Sequence, residues 1–104
     1  MQSNSTMIHR LQSAINEKFN QRILYNKTQW YSIDQDRPVT MYKISKAEWD
    51  AERGKTVNVE LFRSHSQIQI VLFLRDMWYE LNGWEVPNDN EEWNKIKMNY
   101  KVGD

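Results

Sequence analysis

The sequence predicts a small α+β domain, in which a three-stranded antiparallel sheet packs on a central helix in the order α-β-β-α-β-α-α. Three observations lead to this prediction. The segment 64–84 carries more apolar residues than a helix with one buried face needs. Three other segments are rich in β-branched and aromatic residues or alternate apolar with polar residues. A chain of 104 residues also has the length of one domain with one core, so we expect a single unit over 1–104, with 1–4 and 101–104 frayed.

The first predicted element is an amphipathic helix over 5–20. Its apolar residues recur at helical spacing, and Ser5 is the predicted N-cap. These apolar residues are Ile8, Leu11, Ile15 and Phe19.

A hairpin is predicted next. Residues 22–33 and 39–45 have strand-like composition, and the polar turn 34–38 ends in a proline. On the second strand we expect Tyr42 and Ile44 to face inward, because Lys43 on the other side prefers water.

Two shorter elements follow. Ser45 and Glu48 form a capping-box pattern, which predicts a short helix that is anchored by Trp49 and ends before Gly54. Residues 56–62 then alternate and predict a third strand. Its core face would consist of Val57, Val59 and Leu61.

The central helix has a predicted start and stop. Ser64 and Gln67 form a second capping-box pattern, and Gly83 suits the left-handed conformation that ends many helices. We expect Trp84 to fold back onto Trp78 or Tyr79. A last helix is predicted near 89–99, begun by Asp89 or Asn90 and anchored by Trp93 and Ile96.

The central helix is apolar on two sides. One side is a broad core face, and the other is a stripe that we call the self-association stripe, formed by Ile68, Leu72 and Tyr79. We expect this stripe to pack on the first or last helix of the same molecule. A dimer through the stripe is the main rival.

Composition excludes several classes of function. The chain has no cysteine, which excludes disulfides, thiolate catalysis and cysteine-ligated metals. Lys and Arg balance Asp and Glu at 14 each, which is not the profile of a protein that coats DNA. The N-terminus lacks the pattern of a signal peptide and no apolar run could span a membrane, so we expect a cytoplasmic protein with no membrane partner.

No pattern predicts a catalytic or metal centre. His65 lies between Ser64 and Ser66, but neighbours in sequence at a helix start seldom have the geometry of a nucleophile and its base. Asp34 and Asp36 lack the further oxygen ligands and the glycine of a calcium loop. We therefore expect no cofactor, no metal and no catalysis.

The best candidate for a functional surface is the hairpin, where aromatic and cationic residues are interleaved. This hairpin surface consists of Arg22, Lys27, Trp30, Tyr31, Arg37 and Lys43. Aromatic rings beside cations could stack bases and hold phosphates, whereas the simpler interpretation is a set of core or cross-strand aromatics with a solvated rim.

Two functions remain open at this point. The first is a small accessory protein without enzymatic activity that binds another macromolecule, protein being preferred. The alternative is a nucleic-acid-binding module that uses the hairpin 22–46, and a carboxylate-based enzyme ranks third.

Overall fold

Three helices pack on one side of a three-stranded antiparallel sheet, in the order α-β-β-β-α-α. The structure, a computed structural model, describes residues 3–99. Its elements are α1 (Asn4–Phe19), β1 (Ile23–Ser32), β2 (Arg37–Asp50), β3 (Lys55–Ser64), α2 (Gln67–Leu81) and α3 (Glu91–Asn99). The predicted α+β class is confirmed, and the strand order within the sheet is β1-β2-β3.

The first helix begins earlier than predicted. Ser3, rather than Ser5, is the N-cap, and its side chain accepts a hydrogen bond from the Thr6 amide at 3.1 Å. Residues 1–2 and 101–104 of the segments expected to fray lie outside the described residues. The helix ends at Phe19 and is capped by Asn20, whose left-handed backbone suits a residue that closes a helix.

The sheet meets the helices through a row of residues that pair across all three strands. Tyr25 on β1 lies opposite Ile44 on β2, and Ile44 lies opposite Phe62 on β3. Ile44 is completely buried, and Tyr42 packs against the same core, so the predicted inward face of β2 is confirmed. The core also takes in residues of all three helices, namely Ile8, Ile15, Ile70, Val71, Leu74 and Trp93.

The predicted short helix after Ser45 is wrong. Residues 45–50 continue β2 and pair with β3, from Ser45 opposite Glu60 to Asp50 opposite Lys55. The chain then turns, with the Asp50 side chain accepting hydrogen bonds from two backbone amides and Gly54 at a φ of +65°. The local capping pattern is overridden because pairing with β3 satisfies the backbone of the whole segment.

A β-bulge changes which residues of β3 enter the core. Ile44 pairs with Phe62 and Ser45 pairs with Glu60, so Leu61 is an extra residue on β3. Phe62 is therefore the buried residue, at 1% exposure. The expectation that Val57 and Val59 form the core face is wrong, because neither belongs to the core and Val59 is 39% exposed.

The end of α2 follows the prediction closely. Gly83 has a φ of +74°, and its amide donates to the Glu80 carbonyl while the Trp84 amide donates to the Tyr79 carbonyl. This is the Schellman arrangement, in which an apolar residue after the glycine folds back on the last turn. Trp84 does so, with its ring edge-on to both Trp78 and Tyr79.

The start of α2 differs from the prediction. The N-cap is Ser66, and the predicted box between Ser64 and Gln67 does not form. Ser64 instead accepts a hydrogen bond from the Ser66 amide and donates one to the Gln69 side chain at 2.6 Å. The helix N-cap therefore lies two residues, about half a turn, nearer to the C-terminus than the cap pattern indicates.

One end of β1 is closed by α1. The Ile23 amide donates to the Asn16 side chain at 2.8 Å, and the Ile23 carbonyl accepts from the amides of Asn16 and Gln12. These backbone groups of Ile23 point away from β2 and are satisfied by helix side chains rather than by another strand.

Candidate binding surface

The sheet has a second face that no described helix covers, and the hairpin surface lies partly on it. Side chains alternate between faces along a strand, and directly opposite residues share a face. The helix side holds Tyr25, Ile44 and Phe62, so their neighbours point the other way. We call this second side the open face, and its central members are Trp30, Val39, Met41, Lys43, Glu60 and Arg63.

The hairpin surface is thereby divided. Trp30, Arg37 and Lys43 share the open face, whereas Lys27 and Tyr31 point to the helix side of the hairpin. Arg22 precedes β1, and its carbonyl accepts a hydrogen bond from the Ala47 amide at 3.0 Å. The six predicted residues do not form one continuous surface.

Trp30 is the main apolar feature of the open face near the end of the hairpin. Its side chain is 45% exposed, and it lies opposite the half-buried Val39. The ring also approaches the His65 imidazole, with centroids 6.3 Å apart. His65 Nδ1 is fixed 2.8 Å from the Thr40 carbonyl oxygen of β2. The sheet and His65 together hold a large aromatic side chain in place while leaving much of its surface exposed.

The charges beside Trp30 are partly neutralised. The Glu60 carboxylate lies 3.6 Å from Lys43 Nζ and 2.8 Å from Arg63 Nε. The hydrogen bond from Arg63 lowers the pKa of Glu60, and Lys43 adds to the effect. The open face of the three strands thus carries three cations, Arg37, Lys43 and Arg63, and one carboxylate.

Tyr31 marks the end of the hairpin on the helix side. Its hydroxyl donates a hydrogen bond to the Asp36 carboxylate, and this bond raises the pKa of Tyr31 above its ordinary value. Tyr31 is 58% exposed and Ile33, in the following turn, is 87% exposed. The bond between Tyr31 and Asp36 closes the turn, which gives Tyr31 a structural role on the face opposite Trp30.

Trp49 is a second exposed tryptophan, and it lies in β2 rather than in the predicted short helix. Trp49 lies in β2 opposite Thr56 and is 68% exposed on the open face. It is ten residues from Val39 along β2, roughly 33 Å at about 3.3 Å per residue. Trp30 and Trp49 therefore lie near opposite ends of one long face.

The self-association stripe is spread over different environments. Ile68 is 46% exposed, Leu72 packs at the edge of the core, and Tyr79 contacts Trp84. Packing between α1 and α2 is extensive, with Leu11 and Met7 at the same core edge. Self-association through the stripe stays a prediction.

A groove between α2 and α3 contains a polar cluster that the sequence pattern did not reveal. Asp76 on α2 is a charged residue that is only 7% exposed. One carboxylate oxygen accepts from Arg75, and the other accepts from Trp93 Nε1 at 2.8 Å and Lys97 Nζ at 3.2 Å. The groove encloses about 430 Å³, and its apolar lining consists of Phe73, Met77, Val86 and Met98. The cluster joins α3 to α2, because Trp93 and Lys97 of α3 both donate hydrogen bonds to Asp76 of α2.

The described residues contain neither a cluster of metal ligands nor a membrane-spanning helix. Within residues 3–99, no three His, Asp or Glu side chains come close enough to share a metal ion. No helix in this range has both the length and the apolar character needed to cross a bilayer. Comparison of the chain with protein-family models, curated proteins and solved structures finds no match.

Proposed function

We propose that this chain is a non-catalytic accessory module whose open face binds another protein. The observation that carries the proposal is the position of Trp30. It is a large aromatic side chain, 45% exposed, held on a sheet whose other face is buried by three helices. Tryptophan is among the residues that contribute most to binding at protein interfaces, because it buries much area with little loss of side-chain freedom.

The surroundings of Trp30 favour a particular kind of partner surface. Val39 and Met41 beside it are half-buried apolar residues, while Arg37 and Lys43 supply positive charge on the same face. A partner with an apolar recess bordered by carboxylates would match this surface in both shape and charge. A standard interface covers about 800 Å² of each partner, roughly 30 Å across, so one centred on Trp30 would not extend to Trp49.

Nucleic-acid binding is the second candidate, and one observation favours it. Trp30, Arg37 and Lys43 lie on the same face, so one ring and two cations could contact a single strand together. Glu60 counts against it, because its carboxylate contacts Lys43 and would repel a phosphate placed there. Lys27 and Tyr31, on the other side of the hairpin, could not join the same contact. Protein therefore ranks above nucleic acid.

The test compares two tryptophan variants of the whole chain. Wild type, Trp30→Ala and Trp49→Ala are used as baits in nuclease-treated native lysate, and proteins retained by wild type are then purified and measured individually. We expect one protein whose Kd rises at least about 30-fold with Trp30→Ala, the effect of losing a hot spot of about 2 kcal/mol. Trp49→Ala is the matched control, since it removes the same side chain from the same face outside the interface.

The opposite results are equally clear. If Trp30→Ala binds every retained protein as tightly as wild type does, the open face around Trp30 is not the binding surface. If retention depends on nucleic acid, oligonucleotides become the ligands to measure, and a steep decline of affinity with salt would support the second candidate. Analytical ultracentrifugation of wild type and Ile68→Asp tests the self-association stripe separately, since a dimer that this exposed substitution dissociates would identify the partner as a second copy.

A further inference from the structure

An aromatic cage surrounds the side-chain ammonium of Lys18 where α1 and α2 end. Lys18 Nζ lies 5.3 Å from the ring centroid of Phe19, 5.2 Å from that of Trp78 and 5.8 Å from that of Trp84. The rings are steeply inclined, at 71° between Phe19 and Trp78 and 83° between Trp78 and Trp84. Three ring systems therefore border one cation from different directions.

The cage is built from well-fixed parts. Phe19 and Trp78 lie in the last turns of α1 and α2, and their rings pack edge-on with centroids 5.6 Å apart. Trp84 is returned to the helix by the turn at Gly83 and is braced by Tyr79, 5.5 Å away. The walls of the cage would therefore keep their arrangement without Lys18.

Two physical features make this location favourable for a cation. Ring faces carry negative charge density and attract ammonium groups. The carboxyl ends of two helices also meet here, and each helix end carries a partial negative charge. Lys18 itself donates a hydrogen bond to the side-chain oxygen of Asn82, which caps α2.

Lys18 fills the cage without being enclosed in it. The Lys18 side chain is exposed, and Trp84 is 53% exposed. An ammonium has three N–H donors, and Asn82 accepts from one of them, so the others depend on water. A quaternary ammonium has no such donors and presents methyl groups to the rings, which is why aromatic cages recognise choline and methylated lysine.

We propose that this cage is a binding site for a methylated ammonium group, and that Lys18 is a built-in competitor that the ligand displaces. The ligand class is the quaternary ammonium, carried either by a small molecule such as choline or by a trimethylated lysine of a protein. The proposal is independent of the open face, because the cage is formed by helix ends on the other side of the sheet.

The experiment measures binding in the full-length chain by following the indole N–H signals of its tryptophans in NMR spectra. Choline and a short peptide containing trimethyllysine are titrated separately into wild type and Lys18→Ala, and their relative affinities distinguish the two sources of the group. We expect saturable shifts of the Trp78 and Trp84 signals, with affinity about tenfold higher in Lys18→Ala because the competitor is gone. The uncharged analogue 3,3-dimethylbutan-1-ol should produce no saturable shift.

A second variant makes the result decisive. The double variant Lys18→Ala/Trp84→Ala lacks one wall of the cage. Its Trp78 signal should show no saturable shift when either choline or the peptide is added. If Lys18→Ala retains a dispersed spectrum but binds neither ligand, or binds the uncharged analogue equally well, then the proposal is overturned. Lys18 would in that case serve only to join the ends of α1 and α2. Should Lys18→Ala fail to fold, Lys18→Gln is titrated in its place, and the same outcomes apply.

Discussion

The two faces of the sheet differ sharply although they are made by adjacent residues of the same strands. Tyr25, Ile44 and Phe62 form a paired row beneath the helices, and Asn26, Lys43 and Arg63 form the next row, on the open face. Ile44 is fully buried, whereas the side chain of Lys43 is 39% exposed. The comparison teaches that stability comes from one face, which leaves the other free to carry a binding surface at small cost to folding.

The sharpest test of this comparison substitutes two consecutive residues. Ile44→Ala should lower the free energy of unfolding by about 2–5 kcal/mol, because it leaves a cavity in the core. Lys43→Ala should lower it by less than about 1 kcal/mol, since it removes only an exposed ion pair with Glu60. Urea denaturation followed by circular dichroism measures both. Similar denaturation midpoints for the two variants would show that the faces contribute equally.

The polar cluster between α2 and α3 gives the next largest effect. Asp76→Ala should cost about 2–3 kcal/mol, because the indole N–H of Trp93 and the charge of Lys97 lose their buried partner. Glu80→Ala is the matched control, as Glu80 lies one turn further along α2 and is exposed. Thermal or urea unfolding of the two variants and wild type measures the difference in stability. If both variants unfold like wild type, the cluster does not hold α3 in place.

The smallest effect concerns the pH dependence of the open face. The folded pKa of Glu60 is lowered from its ordinary value of 4.5, so the carboxylate stabilises the fold above that value. Glu60→Gln should therefore cost about 0.5 kcal/mol at pH 7, a cost limited by solvent screening. The difference from wild type should shrink as the pH falls below 4.5 and through the folded pKa.

Urea midpoints measured between pH 7 and pH 3 provide the check for Glu60. Glu17→Gln on the exposed surface of α1 controls for the removal of one negative charge. A gap between Glu60→Gln and wild type that widens on acidification would contradict the lowered pKa.

Local sequence signals predicted those parts of the fold that depend on neighbouring residues. The stop at Gly83 and the return of Trp84 follow from a motif of a few residues, and the orientation of Tyr42 and Ile44 follows from strand alternation. Ser45 and Glu48 show the limit of such signals. Their residue types match a helix-capping pattern, but residues 45–50 pair with β3 instead. The sequence does not specify where β3 lies, so this pairing could not be predicted.

The candidate site was less predictable because it depends on which elements meet. Strand alternation predicts that the consecutive residues Trp30 and Tyr31 lie on opposite faces, but the contact of Glu60 with Lys43 depends on the register of β3 and its bulge. Burial of Asp76 requires α3 to lie against α2. The cage around Lys18 requires two helices that are distant in sequence to end at the same place.

The hydrogen bonds between α1 and Ile23 have a consequence for how the molecule avoids uncontrolled polymerisation. The side chains of Gln12 and Asn16 make the hydrogen bonds to the backbone of Ile23 that a fourth strand would make. A neighbouring chain therefore cannot extend the sheet at that end without displacing them. Further along the same edge, an incoming strand would have to desolvate the charge of Lys27. The β1 edge of this sheet is thus protected against pairing with the strand of a neighbouring molecule, although one face of the sheet is open.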